Sequence, residues 1–484
     1  MSLSYSLGNA LSGLAAVSRQ TEVISSNVSN ALTVGYARRD VALSANSIGG
    51  RGAGVSIDGV SRAVNAAITA DRRNALTRMD GSTVLAQGLA RLEVALGAPT
   101  DVGSIAGRIT AFEQALVTAA SDPTSQAGLD AAAYALSDIV KTLNDNAAKV
   151  QTMRAEADAD IAGQVDSLNT ALQQVATLNK QITRALTSGA DAAGLMDQRA
   201  MVIDSIAAII PVSEVARDNG VVALMAPGGV MLVENSAATF GFTHSPTITA
   251  DMSLQNGLLS GLTVDGRPLA ADGGVGKLAG GTLGAVFALR DDVLTSAQAG
   301  LDDVAADLAL RFQNAANDPT IGASGPLLGL LTDSGAAVNP ADTVGLASRL
   351  RMNSLIDPGA GGDATLLRDG LYTMGGTSSG SSVQLARWSA ALSASQTLPS
   401  GTLAKSAASS AAHVLNDVSA ARVSADNDVS FTSALHSSLF SAEAVSGVDS
   451  DQEMQKLLLI ETAYAANAKV IQAVDGMLKT LLEI

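Results

Sequence analysis

The residue types best suited to metal or acid–base chemistry are three histidines, His244, His413 and His436, and they stand far apart. None lies in the HExxH spacing that sets two imidazoles on one helical face, so each reads first as a surface or satisfied core histidine. Gly273-Gly274-Val275-Gly276-Lys277-Leu278 resembles a phosphate loop. It lacks a glycine at the first required offset, and Leu278 stands where a Ser or Thr hydroxyl would hold magnesium. The glycine run from Gly50 to Gly54 precedes strand-like Val55–Val60 and so fails the order strand, glycines, helix of a dinucleotide site. Asp449–Glu453 has acidic spacing like a calcium loop, but Met454 occupies the glycine position. The same residues read better as a capping box, Ser450 to Glu453, opening a helix. Asn27-Val28-Ser29 matches a glycosylation sequon inside a helical pattern. No nucleophile–base pair can be nominated. The expectation is a chain that is not an enzyme, with no catalytic residue, no cofactor and no metal.

Composition narrows the classes further. Among 484 residues, hydrophobic types make up 47% but aromatics only 3%, so the apolar mass is Ala, Leu and Val. That favours long helices packed through small and aliphatic side chains. A length of this order predicts two to four domains. The net charge is −16, and the densest basic features are the doublets Arg38-Arg39 and Arg72-Arg73. An acidic chain without a basic stripe is a poor nucleic-acid binder. No run approaches 18 apolar residues and the N-terminus has no basic n-region, so neither membrane insertion nor a cleaved secretion signal is expected. Cysteine is absent. That suits an extracellular protein stabilised by packing.

Both ends of the chain carry heptads. In the first helix one core position takes Leu3, Ala10, Val17, Ile24 and Ala31, and the other takes Leu7, Leu14, Thr21 and Val28. At the C-terminal end Leu457, Tyr464, Ile471 and Leu478 share one position, and Ile460, Asn467, Val474 and Leu481 share the other. Such seams predict coiled-coil helices that pair with each other or with neighbours. From Gln126 to Leu186 apolar residues step by three and four, which predicts one rod-like helix of about 90 Å at 1.5 Å per residue. Shorter helices are expected around 60–97, 104–120, 194–209, 284–316, 380–424 and 430–445. Strand–turn–strand patterning begins after Pro211 and predicts a small β domain inserted over 211–283. Residues 317–380, rich in Gly, Pro, Asp and Ser, read as an irregular insertion or surface excursion.

The residues from Ser12 to Val41 carry a resemblance. Ser12-Gly13-Leu14, Asn27, Asn30-Ala31, Thr33 and Gly35-Tyr36 are similar to the N-terminal signature of bacterial flagellar axial proteins, the rod, hook and hook-associated subunits. Leu32 and Val34 replace the commoner Asn and Pro. The segment from Ser446 to Leu482 is similar to that family's C-terminal helix. Between the ends, Gly35-Tyr36-Ala37-Arg38, Leu195-Met196-Asp197-Gln198-Arg199 and the Gly281–Asp291 segment resemble the hook-associated members.

The resemblance implies a mainly α fold with an inserted β domain: paired terminal helices over 1–45 and 447–484, a helical rod over 46–210 and 284–446, and the β-rich outer domain. It implies a secreted structural component of the flagellum, joining hook to filament through polymerisation of its terminal helices. A hook or rod subunit is the same-class alternative, and a hydrolase carried on flagellar-type ends is the alternative of another class. The assembly interface would comprise Leu7, Leu14, Val17, Ile24, Asn27, Val28, Asn30, Gly35, Tyr36, Leu457, Ile460, Tyr464, Asn467, Ile471, Val474, Leu478 and Leu481. Gly35 would end the first helix with positive φ. Implied partners are further copies of the chain, the hook subunit, the next hook-associated protein and a flagellar export chaperone.

Overall fold

The computed structural model describes residues 3–33, 35–48, 51–270, 275–278, 280–322, 328–373, 378–397 and 404–482. The chain opens with helix α1 (Leu3–Ser29), which leads into a hairpin of β1 (Arg39–Ile48) and β2 (Arg51–Arg62). The hairpin is antiparallel, with Arg39 opposite Arg62 at its open end and register shifts after Ala42 and Ala45. Residues 46–48 and 51–62, expected at the start of the helical rod, are therefore β ribbon. Val41, Leu43 and Ala45 alternate, as do Val55 and Ile57, and a period of two does not form one face of a helix.

Four helices follow: α2 (Ala66–Leu96), α3 (Ile105–Ser121), α4 (Gln126–Thr187) and α5 (Ala193–Ile209). Their starts are set by short polar side chains. Asn65 accepts from Ala67 N and Ile68 N, Ser104 from Gly107 N, and Ser125 from Gly128 N. Each satisfies donors that the first helical turn leaves unpaired. Every apolar position from Leu136 to Ile182 that marks the α4 periodicity is buried. The 62-residue helix is the spine of the molecule.

Along α4 the core divides in two. Up to Met153 the helix packs with α3, α7 (Leu294–Gln313), α10 (Val383–Ser393) and the first turns of α11 (Ala407–Ala444). Phe112, Phe312 and Trp388 stack edge to face there, with centroids 6.1 and 5.6 Å apart. The described residues of 317–380 close this core. They hold α8 (Leu346–Arg349), α9 (Leu366–Asp369) and paired strands β9 (Leu331–Asp333) and β10 (Leu350–Met352). Leu330, Leu331, Leu346, Leu350, Ile356 and Leu367 are fully buried in it. The segment is irregular but internal, because its aliphatic residues are spaced one or two per turn of loop and show no helical or strand period.

From Ala157 onward α4 packs with α5, α6 (Gly281–Ala288) and the β region. A sheet of β3 (Ser213–Ala216), β4 (Val222–Ala226) and β5 (Val230–Val233) is followed by one of β6 (Phe240–Gly241), β7 (Thr263–Val264) and β8 (Arg267–Pro268). Two asparagines of α4 bind this region as a strand would. Asn169 exchanges two bonds of 2.8 Å with the backbone of Phe240, and Asn179 binds Val222 N and O. The β region shares its core with α4, α5 and α6, so it is not self-contained.

A single π turn, Leu289–Val293, joins α6 to α7. It aims the fully buried Arg290 at Asp158 (2.5 Å) and at Ser260 O (3.2 Å). Asp158 also binds His244 Nδ1 (2.9 Å) and Ser245 N (2.6 Å), which ties the β-region loop to the spine. Burial pushes the neighbouring Asp291 above the ordinary carboxylate range, partly offset by the Arg290 guanidinium.

Two expected helix limits move. The chain stops at Ser393, forms the strand pair β11 (Gln396–Thr397) and β12 (Ala404–Lys405), and then runs unbroken through α11. The stop is tertiary. Arg311 of α7 donates to Ala391 O (2.7 Å), Ala394 O (2.6 Å) and Lys405 O (2.9 Å), capping the end of α10. Helix α11 lies along α2, and the chain ends in α12 (Ser450–Leu482), which packs along α1. Among the described residues no helix is long and apolar enough to cross a membrane.

Candidate assembly site on the terminal helices

Helix α1 lies between α12 and the hairpin. Ser12 and Gly13 serve the two sides. Ser12 Oγ donates to Asn9 O (2.9 Å) and accepts from Val55 N (3.2 Å), against Gly54 at φ +91°. A Cβ on Gly13 would sit 2.9 Å from Asn467 Nδ2, so the two helices approach through the missing side chain. Asn467, the polar residue of its heptad, packs where its partner has no side chain.

Asn27 is buried and uses both ends of its amide. Its Nδ2 donates to Arg39 O (2.9 Å) and Glu453 Oε2 (2.8 Å), and its Oδ1 accepts from Tyr36 OH (2.8 Å) and Arg39 N (3.0 Å). Glu453 is also buried, with Lys456 Nζ at 2.8 Å from its other oxygen. One amide thus joins α1, the entry to β1 and the first turn of α12. Glu453 does not complete a capping box with Ser450. Asp449 is the cap, its Oδ1 accepting from Asp451 N (2.9 Å) and Gln452 N (3.1 Å), which leaves Glu453 free to point at Asn27.

The helix exit also differs from expectation. Backbone bonds from Asn30 N and Thr33 N end α1 in a turn, and Asn30 Nδ2 donates to Ser26 O (2.9 Å). Gly35 has φ +81° but lies beyond that turn, where it directs the chain toward β1 beneath Met201. Val34 lies outside the described residues.

The sequence-derived interface residues fall in several environments. Val17, Ile24, Asn27 and Val474 are buried, while Leu7, Leu14, Asn30, Tyr36, Leu457, Ile460, Asn467 and Ile471 are half-buried. Val28, Gly35, Tyr464 and Leu478 are exposed, and the side chain of Leu481 lies outside the described residues. On α1 the buried positions are Ala10, Val17 and Ile24 with Ala16 and Val23, a stripe turned away from Thr21 and Val28. The rotation follows from two packing partners rather than one.

A second seam on α12 went unread in the sequence. Leu459, Ala463, Ala466, Val470, Ala473 and Met477 repeat by four and three, and all are exposed. Their period is that of a coiled-coil face, displaced around the helix from the face that meets α1. Small residues hid it, because Ala carries little apolar signal beside Leu and Ile.

Of the motifs weighed for chemistry, His413 and His436 sit on α11 and His244 on Asp158. Gly50, Gly273 and Gly274 lie outside the described residues. Among the described residues no group of three or more His, Cys, Asp or Glu is placed to hold a metal ion.

The chain is similar to known flagellar proteins along much of its length. Residues 89–326 match the family model described as flagellar hook-associated protein FlgK helical domain. Residues 7–36 match the flagella basal body rod protein, and residues 442–484 match the flagellar basal body rod FlgEFG protein C-terminal model. Models of flagellar hook-associated and rod proteins thus match the middle and both ends of the chain. Over 246 residues it is 30% identical to flagellar hook-associated protein 1 of Escherichia coli strain K12, and 29% identical to that of Salmonella typhimurium. Each match covers 49% of this chain and 44% of the relative, so the chain spans less than half the length of the curated hook-associated proteins it matches. The solved flagellar hook junction protein FlgK from Burkholderia pseudomallei shares 22% identity at a TM-score of 0.44, over 55% of this chain and 47% of that one.

Proposed function

We propose that copies of this chain form an adaptor zone of the bacterial flagellum, outside the cell, joining hook to filament. The observation that carries the reading is the unpaired heptad face of α12, Leu459 to Met477, on a helix whose other face is already taken by α1. An exposed, regularly spaced apolar face on a helix pair is a surface for further helices. In a tube of such pairs, the occupant is the terminal pair of a neighbouring subunit. The hook subunit would contact one end of the zone and the next hook-associated protein the other, with an export chaperone covering the face before assembly. The role is mechanical rather than catalytic. A hook or rod subunit shares the terminal matches, and the helical-domain match over 89–326 favours the hook-associated reading.

The test is complementation of a deletion strain with Leu459→Asp plus Val470→Asp. Both positions are exposed, so the monomer's melting temperature should move little. Hooks should persist while filament subunits are shed into the medium. Filaments attached at the normal level would sink the reading.

A further inference from the structure

The chain passes between the terminal unit (α1, hairpin and α12) and the helical body at two places, residues 63–65 and 445–449. A cleft of about 400 Å³ opens between these crossings, and Arg38, Arg62, Asn65, Glu443 and Gly447 are among the residues lining it. A carboxylate stands at each crossing. On α5, Asp197 accepts from Arg39 Nη2 (3.2 Å), Arg62 Nε (2.8 Å) and Ala37 N (3.4 Å). Arg39 and Arg62 are cross-strand partners, so one carboxylate grips both strands at the open end of the hairpin. The grip continues inward, since the Arg39 guanidinium lies 4.8 Å from the centre of the Tyr36 ring, whose hydroxyl binds Asn27.

At the second crossing Glu443, in the last turn of α11, binds Thr69 and Arg72 of α2. Arg72 and Arg73 then reach Asp204 of α5 at 2.8 and 2.6 Å, and Arg73 reaches Glu214 of β3 at 2.7 Å. Burial would lower the Arg73 guanidinium, but Asp204 and Glu214 outweigh it and hold its pKa above the usual value.

We propose that Asp197 is a positioning residue: its grip on Arg39 and Arg62 sets the angle at which the terminal unit leaves the body, while Glu443 fixes the body's side of the second crossing by tying α11 to α2. Charge-assisted bonds at low exposure are short, directional and weakly screened. Such a grip beside an open cleft gives the first crossing one defined direction. Without it the hairpin can swing further about residues 63–65 toward the cleft. This goes beyond the adaptor role and concerns the single chain, so it can stand or fall separately.

The absence of cysteine makes the test direct. Spin labels on Asn46→Cys in the hairpin and Lys180→Cys on α4, both exposed, report one distance in the full chain. The unaltered grips should give a single narrow distribution. Asp197→Asn should widen it about twofold, with the helical signal and melting temperature nearly unchanged. Arg39→Gln with Arg62→Gln removes the same grip from the hairpin side without touching α5, and should widen it equally. Glu443→Gln, which loosens a tie inside the body, should leave that distribution narrow, and widening equal to that of Asp197→Asn would overturn the assignment to Asp197. Should Asp197→Asn unfold α5, the double arginine variant decides. A narrow, unshifted distribution in that variant overturns the proposal. Because this reads the isolated chain, failed filament attachment with the widening intact would count against the adaptor reading alone.

Discussion

Asn27 and Glu453 are 426 residues apart in the chain and share a buried hydrogen bond of 2.8 Å. Asn27→Ala removes a donor from a carboxylate that has no access to water, and strips Tyr36 OH and Arg39 N of their acceptor. Leaving such groups unpaired costs about 1–3 kcal/mol. Hydrogen exchange should show residues 450–460 losing protection while α4 keeps its own. Unchanged protection in the first turns of α12 would mean that the bond is incidental.

Gly13 and Asn467 yield a paired prediction. Gly13→Ala places a methyl against the Asn467 amide, and overpacking of this kind typically costs about 1–3 kcal/mol. Asn467→Ala should restore the closeness of α1 and α12 in the double variant. A double variant no better than Gly13→Ala, judged by exchange along α12, would place the contact elsewhere.

Arg290 and Asp158 form a fully buried pair. Asp158→Ala should destabilise the body by about 1–3 kcal/mol in urea unfolding, because Arg290 Nη1 and Ser245 N lose a buried acceptor while Asp291 still pairs with the guanidinium. Asp158→Leu with Arg290→Met should cost much less. Equal losses in the two would argue that His244 and Ser245, rather than the ion pair, carry the effect.

Acid should act in an unusual direction. Burial raises Asp80, Asp291, Asp302 and Asp307 above the ordinary value of 3.8, with hydrogen bonds or cationic neighbours offsetting part of the shift. A carboxyl raised on folding contributes stability that is fully present below its unfolded value and is lost as pH rises through the folded one. Lower pH also relieves repulsion in a chain of net charge −16. The melting temperature should therefore hold or rise as pH falls from neutrality toward the raised values, and Asp80→Asn should flatten that slope. A steady decline over the same interval, unaltered by Asp80→Asn, would contradict it.

Local spacing was enough to read several elements. The apolar steps from Leu136 to Ile182 specify α4 because a single helix must bury every third or fourth residue, whatever it packs against. Heptads at both ends mark α1 and α12 for the same reason. Strand–turn–strand patterning placed β4 and β5, since a Pro-Gly-Gly turn between two apolar runs marks a hairpin without knowledge of the partner sheet.

What needed the tertiary structure was each feature that depends on two distant segments meeting. The end of α10 is set by Arg311 from α7, the role of Glu453 by Asn27, and the hairpin's direction by Asp197 on α5. Residues 317–380 look like surface loop because burial without a period leaves no local trace. Polar side chains bond according to geometry that only the packed backbone supplies. The sequence by itself therefore determined the long helices, and the fold decided which of their faces are covered and which polar residues hold them to one another.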